Sequence, residues 1–234
     1  MKKIIAALLI PLILIGIALF WLSGNLDNLV KDAIEKYGSA MTQAKVSVGS
    51  VKITPGDGRG VISNLTIGNP AGFKTTHLLK VDQIDVAIDI ASVATNVILI
   101  RHIAVNAPDV IYEKGDTMTN IDALQKNIGA YLGAPDNNKK EGKKLIVEEL
   151  SVRDAKAQAS AAFMNGKTVS AALPDITMKD IGRAKGGITP GELGQEIAAE
   201  VKAKLTGAFS FDRMLKATSE LLDKTGSAIK GLFK

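Results

Sequence analysis

The sequence predicts an α+β, β-rich fold: an N-terminal transmembrane helix followed by an antiparallel, one-sided sheet with a few flanking helices. The first observation is an uncharged apolar run at residues 4–22. The second is a strand-like pattern that recurs four times. The third is composition, since 46% of the residues are hydrophobic but only 4% are aromatic. Such a core is built mainly from Ile, Val, Leu and Ala, and the β-branched residues among these favour strands.

The apolar run has the length of a membrane anchor. Lys2 and Lys3 precede residues 4–22, which as a helix would span about 28 Å, close to the roughly 30 Å hydrocarbon core of a bilayer. Bulky residues end the run, where a signal peptidase requires small ones, and Trp21 suits a membrane interface. We therefore expect an uncleaved signal anchor rather than a cleaved signal peptide. The N-terminus would be cytoplasmic, and the bulk would lie in the periplasm, on a single-pass inner-membrane protein.

The repeated pattern is apolar-x-x-apolar-x-apolar, followed by one spacer and usually Asn or Asp. The last two apolar positions of each copy are two residues apart, so they share one face of a strand. This predicts a sheet with one apolar face and one polar face. The copies are residues 62–67, 100–105, 147–152 and 173–178, followed by Asn69, Ala107, Asp154 and Asp180.

Amphipathic periodicity and capping residues predict the helices. Residues 25–37 form one helix that ends at Gly38. Asn120 caps a second helix, which runs through Leu132. Thr189 caps a third with Pro190 at its first position, and residues 211–233 form the last.

These segments divide the chain into five parts. They are the anchor (1–23), an N-terminal β module (24–132), an exposed linker (133–144), further strands of the same sheet (145–187) and C-terminal amphipathic helices (188–234).

No residue pattern in the sequence indicates catalysis, a metal or a cofactor. Cysteine is absent and only His77 and His102 are present, neither with a partner at metal-ligand spacing. Asp85 and Asp89 share a strand face, but about 13 Å separates them, too far for a pair of catalytic carboxylates. The glycine-rich turn at 56–60 lacks the Lys-Ser/Thr of a phosphate loop. We expect a protein that is not an enzyme.

The net charge of +5 comes entirely from residues 139–234. Their lysines are interleaved with acidic residues and are not accompanied by aromatic side chains for base stacking. The charge therefore predicts a mixed solvated surface and no nucleic-acid partner.

The order of parts resembles the AsmA family of membrane-anchored proteins, which are related to TamB and distantly to chorein-like lipid-transfer proteins. The resemblance rests on the anchor, the glycine turn, residues 62–73 with Asn69-Pro70 and Gly72-Phe73, and the strand at 79–90. The strand at 100–110 and residues 120–124 continue it. It covers residues 1–130 well and 145–181 loosely, and the chain is short for that family.

The resemblance implies a curved, half-pipe or taco-like sheet whose apolar face shelters lipid acyl chains, with a role in envelope and outer-membrane lipid homeostasis. A sheet this short does not bridge two membranes alone, so envelope protein partners or self-association are expected. The alternative is a closed β-sandwich of the LEA-14 type, a non-enzymatic anchored scaffold or adaptor. The residues predicted to face lipid are Leu65, Ile67, Val81, Ile84, Val86, Ile88, Ile103, Val105, Leu150, Val152, Ile176 and Met178.

Overall fold

Ten strands form one mixed sheet in the computed structural model, which describes residues 25–133, 142–164 and 168–216. Helix α1 covers residues 25–42. Helices α2 and α3 are Asn120–Gly133 and Pro190–Ala208, and residues 211–216 are also helical. The strands are β1 Val46–Ser47, β2 Ser50–Thr54, β3 Arg59–Ile67, β4 Leu79–Ile88, β5 Val97–Asn106, β6 Asp109–Lys114, β7 Lys144–Arg153, β8 Lys156–Ala161, β9 Val169–Ala172 and β10 Ile176–Ile181.

On the side of β4 away from β3, the sheet consists of three long strands, and each is broken once into two shorter strands. The three are β5 with β6, β7 with β8, and β10 with β9. β5 and β6 both pair with the same edge of β4, so they continue one another. β7 and β8 follow them in register, and β10 and β9 follow β7 and β8. β3 pairs with the other edge of β4 and carries β1 and β2. Because all ten described strands belong to one sheet, a sandwich of two separate sheets does not describe this fold.

The prediction of an antiparallel sheet is wrong, because β5 pairs with β7, and β6 with β8, in parallel. The cause is α2. The chain runs out along β5 and β6, and α2 lies between β6 and β7 in the sequence. β7 then starts with Lys144 opposite Val97, at the beginning of β5. A helical connection of this kind joins parallel strands, whereas a short hairpin joins antiparallel ones.

The breaks in the three long strands align into a crease, which we define as residues 107–108, 154–155 and 173–175. Ala107 and Asp154 have left-handed backbones, with φ of 48° and 53°. Register is kept across the break, since Ala107 N–H donates to Arg153 and Lys156 N–H donates to Pro108. Three of the four residues that end the repeated pattern have φ above +50° or close to it: Ala107, Asp154 and Asp180. Asn and Asp tolerate this conformation better than other side chains, which gives the polar residue of the pattern a physical reason.

Ala107 carries a conformational cost that glycine would not, since a left-handed backbone costs a residue with a Cβ about 1 kcal/mol. We expect Ala107→Gly to raise the free energy of unfolding by up to about 1 kcal/mol, measured by urea denaturation. Ala104→Gly, in the regular part of β5, is the matched control and should lower it by about 0.5–1 kcal/mol. Equal destabilisation by both changes would show that the backbone at Ala107 is not a source of strain.

In the pattern copy at residues 100–105, the two-residue gap between the first and second apolar positions contains a β-bulge of β5. Ala87 pairs with His102 and Ile88 with Ile100, so Arg101 is an extra residue against β4. Because of the bulge, Ile100, Ile103 and Val105 lie on the same face of the sheet, and all three belong to or contact the same core cluster. Without it, strict alternation would place Ile100 on the opposite face from Ile103.

Helices α2 and α3 pack against each other and cover part of the apolar face. Gln195 of α3 donates to the Gln125 carbonyl, and Lys202 pairs with Asp122. Their buried side chains join those of β6, β7, β8 and β10 in the main core. This core lies over the β7 and β10 side of the sheet, and it leaves β3 and β4 at its margin.

Two of the predicted helix ends need correction. α1 continues to residue 42 and does not end at Gly38. Thr119 takes the capping role predicted for Asn120, since its hydroxyl accepts from Asp122 N–H. The third prediction is confirmed: Thr189 and Glu192 form a reciprocal capping box with Pro190 in the first turn. Hydrogen bonds from the Thr189 backbone and hydroxyl lower the pKa of Glu192.

The predicted membrane topology is contradicted. Within residues 25–133, 142–164 and 168–216, no helix is long and apolar enough to cross a bilayer. A single-pass inner-membrane location with a periplasmic bulk therefore has no support in the structure. The run at 4–22, most of the linker at 133–144 and the greater part of the helix predicted at 211–233 lie outside the described residues.

Candidate functional site

The register of the sheet brings the predicted lipid-facing residues onto one face. Residues directly opposite each other on neighbouring strands share a face. One row of partners is Ile84, Val105, Val152 and Ile176, and the next is Val86, Ile103, Leu150 and Met178. On the other side of β4, Leu65 pairs with Val81, and Ile67 pairs with Leu79.

Burial separates these twelve residues into two groups. Val81, Leu150, Val152 and Ile176 are buried, so no ligand reaches them in this structure. The other eight are only half-buried, although they have the same aliphatic character. Three of the buried residues, Leu150, Val152 and Ile176, lie in the core to which the helices contribute, where α3 packs on β7 and β10 and α2 packs on β6. Met178 of β10 is nevertheless half-buried.

We call the half-buried apolar face of β3, β4 and β5 the apolar shelf. Sequence reasoning missed one of its members, Ile62, which pairs with Ile84 and is the first apolar residue of the first pattern copy. The signal was available, since that position contributes to the same face in the other strands. The shelf comprises Ile62, Leu65, Ile67, Ile84, Val86, Ile88, Ile103 and Val105.

The opposite face of the same strands is mostly polar or small, although Val61 also lies there, opposite Asp85. Asp85 pairs with Ala104, and Ser63 pairs with Gln83. Next to them His102 Nδ1 lies 3.6 Å from Glu149 Oε1, and both side chains are about two-fifths exposed. The sheet is therefore one-sided at the shelf: aliphatic side chains point one way and solvated polar groups the other.

Helix α1 protects the free edge of the sheet beside the shelf. Val48 N–H donates to Glu35, Ile53 N–H donates to Asp27, and Lys31 donates to the Gly49 carbonyl. These three helix residues lie four apart and so share one stripe of α1. Edge strands expose unpaired backbone groups that attract other strands, and this stripe occupies several of them.

The far end of α1 approaches α2. Asn127 of α2 donates to the Thr42 carbonyl over 2.8 Å, and Met41 contacts the main core. Near that end Val46 and Val81 are buried, and Val46 is the nearest neighbour of Gly38. The apolar face is therefore covered toward β1, where Val46 and Val81 are buried.

A buried amide network holds the Asn69–Phe73 stretch on which the resemblance partly rests. Asn120, fully buried, donates to the Ile111 carbonyl and to Asn69 Oδ1, and it accepts from Glu113 N–H. Asn69 donates in turn to Thr75. The network is a structural clamp between the loop before β4 and the start of α2, with no reactive group exposed to a substrate.

Two polar clefts lie away from the shelf, near the crease. The larger, of about 760 Å³, is lined by Lys80, Asp82, Asp109 and Lys156 among others. His77 borders the smaller one, and its Nε2 lies 3.2 Å from Asp109 Oδ2 without hydrogen-bond alignment. Among the described residues, no group of three or more His, Asp or Glu side chains is arranged to hold a metal ion.

Comparison with known proteins found no family model, no curated protein and no solved structure that matches this chain.

Proposed function

We propose that the chain binds lipid acyl chains on the apolar shelf, the function that resemblance to the AsmA family implies. The observation that carries the proposal is the contrast between equivalent residues of one sheet face. Val147, Leu150 and Val152 of β7 are buried, whereas the aliphatic side chains of β3 and β4 in the same rows are mostly only half-buried. Apolar surface left in contact with water is unfavourable, and a contiguous patch of it is typical of a binding site.

The chemistry of the shelf favours hydrocarbon over a protein partner. All eight shelf residues are Ile, Leu or Val, and the backbone hydrogen bonds of β4 are already made to β3 on one side and to β5 and β6 on the other. Protein interfaces are enriched in aromatic residues, Met and Arg, and they contain regular hydrogen bonds. An acyl chain needs none of these, because it gains only from leaving water.

The size of the shelf also suits an acyl chain. From Leu79, level with Ile67, to Ile88 the strand β4 covers nine residue steps, or about 30 Å at roughly 3.3 Å per step. One acyl chain occupies about half the roughly 30 Å bilayer core. Three strands give a width of about 10 Å, enough for a chain lying along them.

Photo-crosslinking in living cells tests this proposal. A photoreactive amino acid at Val105 points onto the shelf, and one at Ala104, the neighbouring residue, points to the opposite face. In cells fed an alkyne-tagged palmitate, we expect tagged lipid adducts at Val105 and at least tenfold fewer at Ala104, measured by mass spectrometry. Adducts that contain only protein at Val105, or equal lipid labelling at both positions, would contradict the proposal.

A further inference from the structure

The two outer edges of the sheet differ in how they are protected. At the edge formed by β1 and β2, side chains of α1 occupy several backbone groups. At the other edge, β10 pairs with β7 alone among the described strands, so the backbone groups on its outer side have no strand partner. Residues 178–182 line an open cleft of about 420 Å³ there, together with Glu196 of α3. Successive strand residues point to opposite faces, so a cleft that touches consecutive residues lies along the accessible edge of the strand.

The part of this edge that is free to pair with another strand is short and has defined ends. Pro174 has no backbone N–H to donate. Asp180 has a left-handed backbone, with φ of 52°, which interrupts the extended strand. We define the open segment as residues 175–179, with Thr177 at its centre. A second copy of the segment, laid antiparallel along its full length, places Thr177 opposite Thr177.

In this register the open segment is complementary to itself on both faces of the sheet. Met178 comes opposite Ile176 of the second copy, on the apolar face. Asp175 comes opposite Lys179 of the second copy, on the polar face. By symmetry each of these pairs occurs twice. Residues directly opposite each other on antiparallel strands interact, and apolar pairs and pairs of opposite charge stabilise the ladder.

The charged pairs would also continue the charge pattern that β7 and β10 already form. Lys179 lies opposite Glu149, and Asp175 comes level with Arg153 when the register of β10 with β7 is continued by one residue. Across two joined sheets the order is Glu149, Lys179, then Asp175 and Arg153 of the second copy. The sign of the charge therefore alternates at every step, and no like charges face each other.

Neighbouring charges leave Asp175 and Lys179 available for such pairs. The other charged groups beside the open segment pair with one another: Arg183 with Asp180 and Glu148, and Lys185 with Glu196. Asp175 Oδ1 accepts from Asp154 N–H over 3.3 Å. Neither Asp175 nor Lys179 makes an ion pair with any residue that the structure describes.

We propose that two copies of this chain associate edge to edge through residues 175–179, with Thr177 on the twofold axis. An unprotected edge strand is a template for another strand, and a twofold interface requires a surface that is complementary to itself. The open segment meets both conditions. This association does not depend on acyl binding by the shelf.

Single cysteines test the register, because the chain contains no other cysteine. Thr177→Cys places two cysteines opposite each other, about 4.5–5.5 Å apart between Cα atoms, which is within reach of a disulfide. Lys179→Cys is the matched control, since Thr177 and Lys179 are both exposed but copies of position 179 are offset by about 13 Å along the strands. Under mild oxidation of the purified full-length protein, we expect at least tenfold more disulfide-linked dimer from Thr177→Cys, measured on non-reducing gels. Mixing Asp175→Cys with Lys179→Cys should give the mixed dimer.

A charge at the axis tests the association without a crosslink. Thr177→Lys places two ammonium groups directly opposite each other, which is destabilising, and we expect the dimer Kd to rise at least tenfold in sedimentation equilibrium. Thr54→Lys is the matched control. It makes the same change at an exposed position of β2, on the edge that α1 protects, and should change the Kd less than threefold. Circular dichroism checks that both variants are folded.

Three outcomes would overturn the edge-to-edge proposal. They are a protein that stays monomeric at every concentration, equal disulfide formation at positions 177 and 179, and equal weakening by the two lysine substitutions. Lipid adducts at Val105 are measured separately, so failure of the dimer leaves the acyl-binding proposal standing, and absence of adducts leaves the dimer standing.

Discussion

Ile84→Lys is expected to leave the chain folded and to abolish its binding of acyl chains, whereas Val147→Lys is expected to prevent folding. Both residues lie on the same apolar face. Ile84 is half-buried, so a lysine there extends its ammonium group into water while its stem covers the strand. The expected loss of unfolding free energy is about 1–2 kcal/mol. The lysine ammonium, however, then lies beside the shelf surface that an acyl chain would cover, and it prevents the acyl chain from binding there.

Val147 has 0% exposure beneath the helices. A lysine at that position has no route to water, so it must either bury an unpaired charge or lose its proton. Together with the extra volume in a packed core, this cost is comparable to the roughly 5–15 kcal/mol by which domains of this size are stable. Far-ultraviolet circular dichroism and thermal denaturation measure folding, and displacement of a fluorescent fatty acid measures binding.

Ile84→Val is the matched control and should retain both folding and binding. If Ile84→Lys unfolds the chain, the shelf is an ordinary core and the acyl-binding proposal loses its basis. If Ile84→Lys folds and still binds fatty acid with unchanged affinity, the ligand lies elsewhere.

Asn120→Leu is expected to lower the free energy of unfolding by about 4 kcal/mol. The side chain is fully buried and makes three hydrogen bonds, to Glu113 N–H, to the Ile111 carbonyl and to Asn69 Oδ1. Leucine has a similar volume but leaves these groups unpaired, and each buried unpaired group costs about 1–3 kcal/mol. Urea denaturation measures the change.

The control for this change is Asn127→Leu, in the same helix. Asn127 is half-buried and donates one hydrogen bond, to the Thr42 carbonyl, so the expected loss is about 1 kcal/mol. A loss of about 1 kcal/mol at both positions would mean that water replaces the lost partners of Asn120, and that the Asn69–Phe73 loop is not clamped by it.

Local patterns in the sequence predicted the individual elements well, because they depend on neighbouring residues. The helix start at Thr189 is an example, since the predicted cap and the proline that follows it are adjacent in the sequence. The choice of strand partners was not local. The pairing of β5 with β7 is set by the return of the chain after α2, and alternation within a strand does not reveal its neighbour. A helix predicted between two strand segments already favoured a parallel pair, and that inference was missed.

The shelf was predictable only in part. The face that each residue occupies follows from the pattern, because the bulge at Arg101 keeps Ile100 and Ile103 on one side. Which part of that face is covered follows from where α2 and α3 pack, and that depends on contacts between distant segments. Leu150 and Val86 therefore look alike in sequence, although Leu150 is buried and Val86 is only half-buried.

The aligned breaks have a consequence for the tolerance of the sheet to insertions and deletions. Arg101 of β5 and Ala107 just after it lie level with Glu148 of β7 and Asp154 just after it, at the same spacing in both segments. Loss of one residue between them in β5 alone would shift its far half against β7 and turn its apolar side chains to the opposite face. The same loss in both strands would keep them matched to each other. An insertion or deletion in this stretch therefore keeps the faces matched only when both neighbouring strands change together. The connecting loops, in contrast, can vary in length independently.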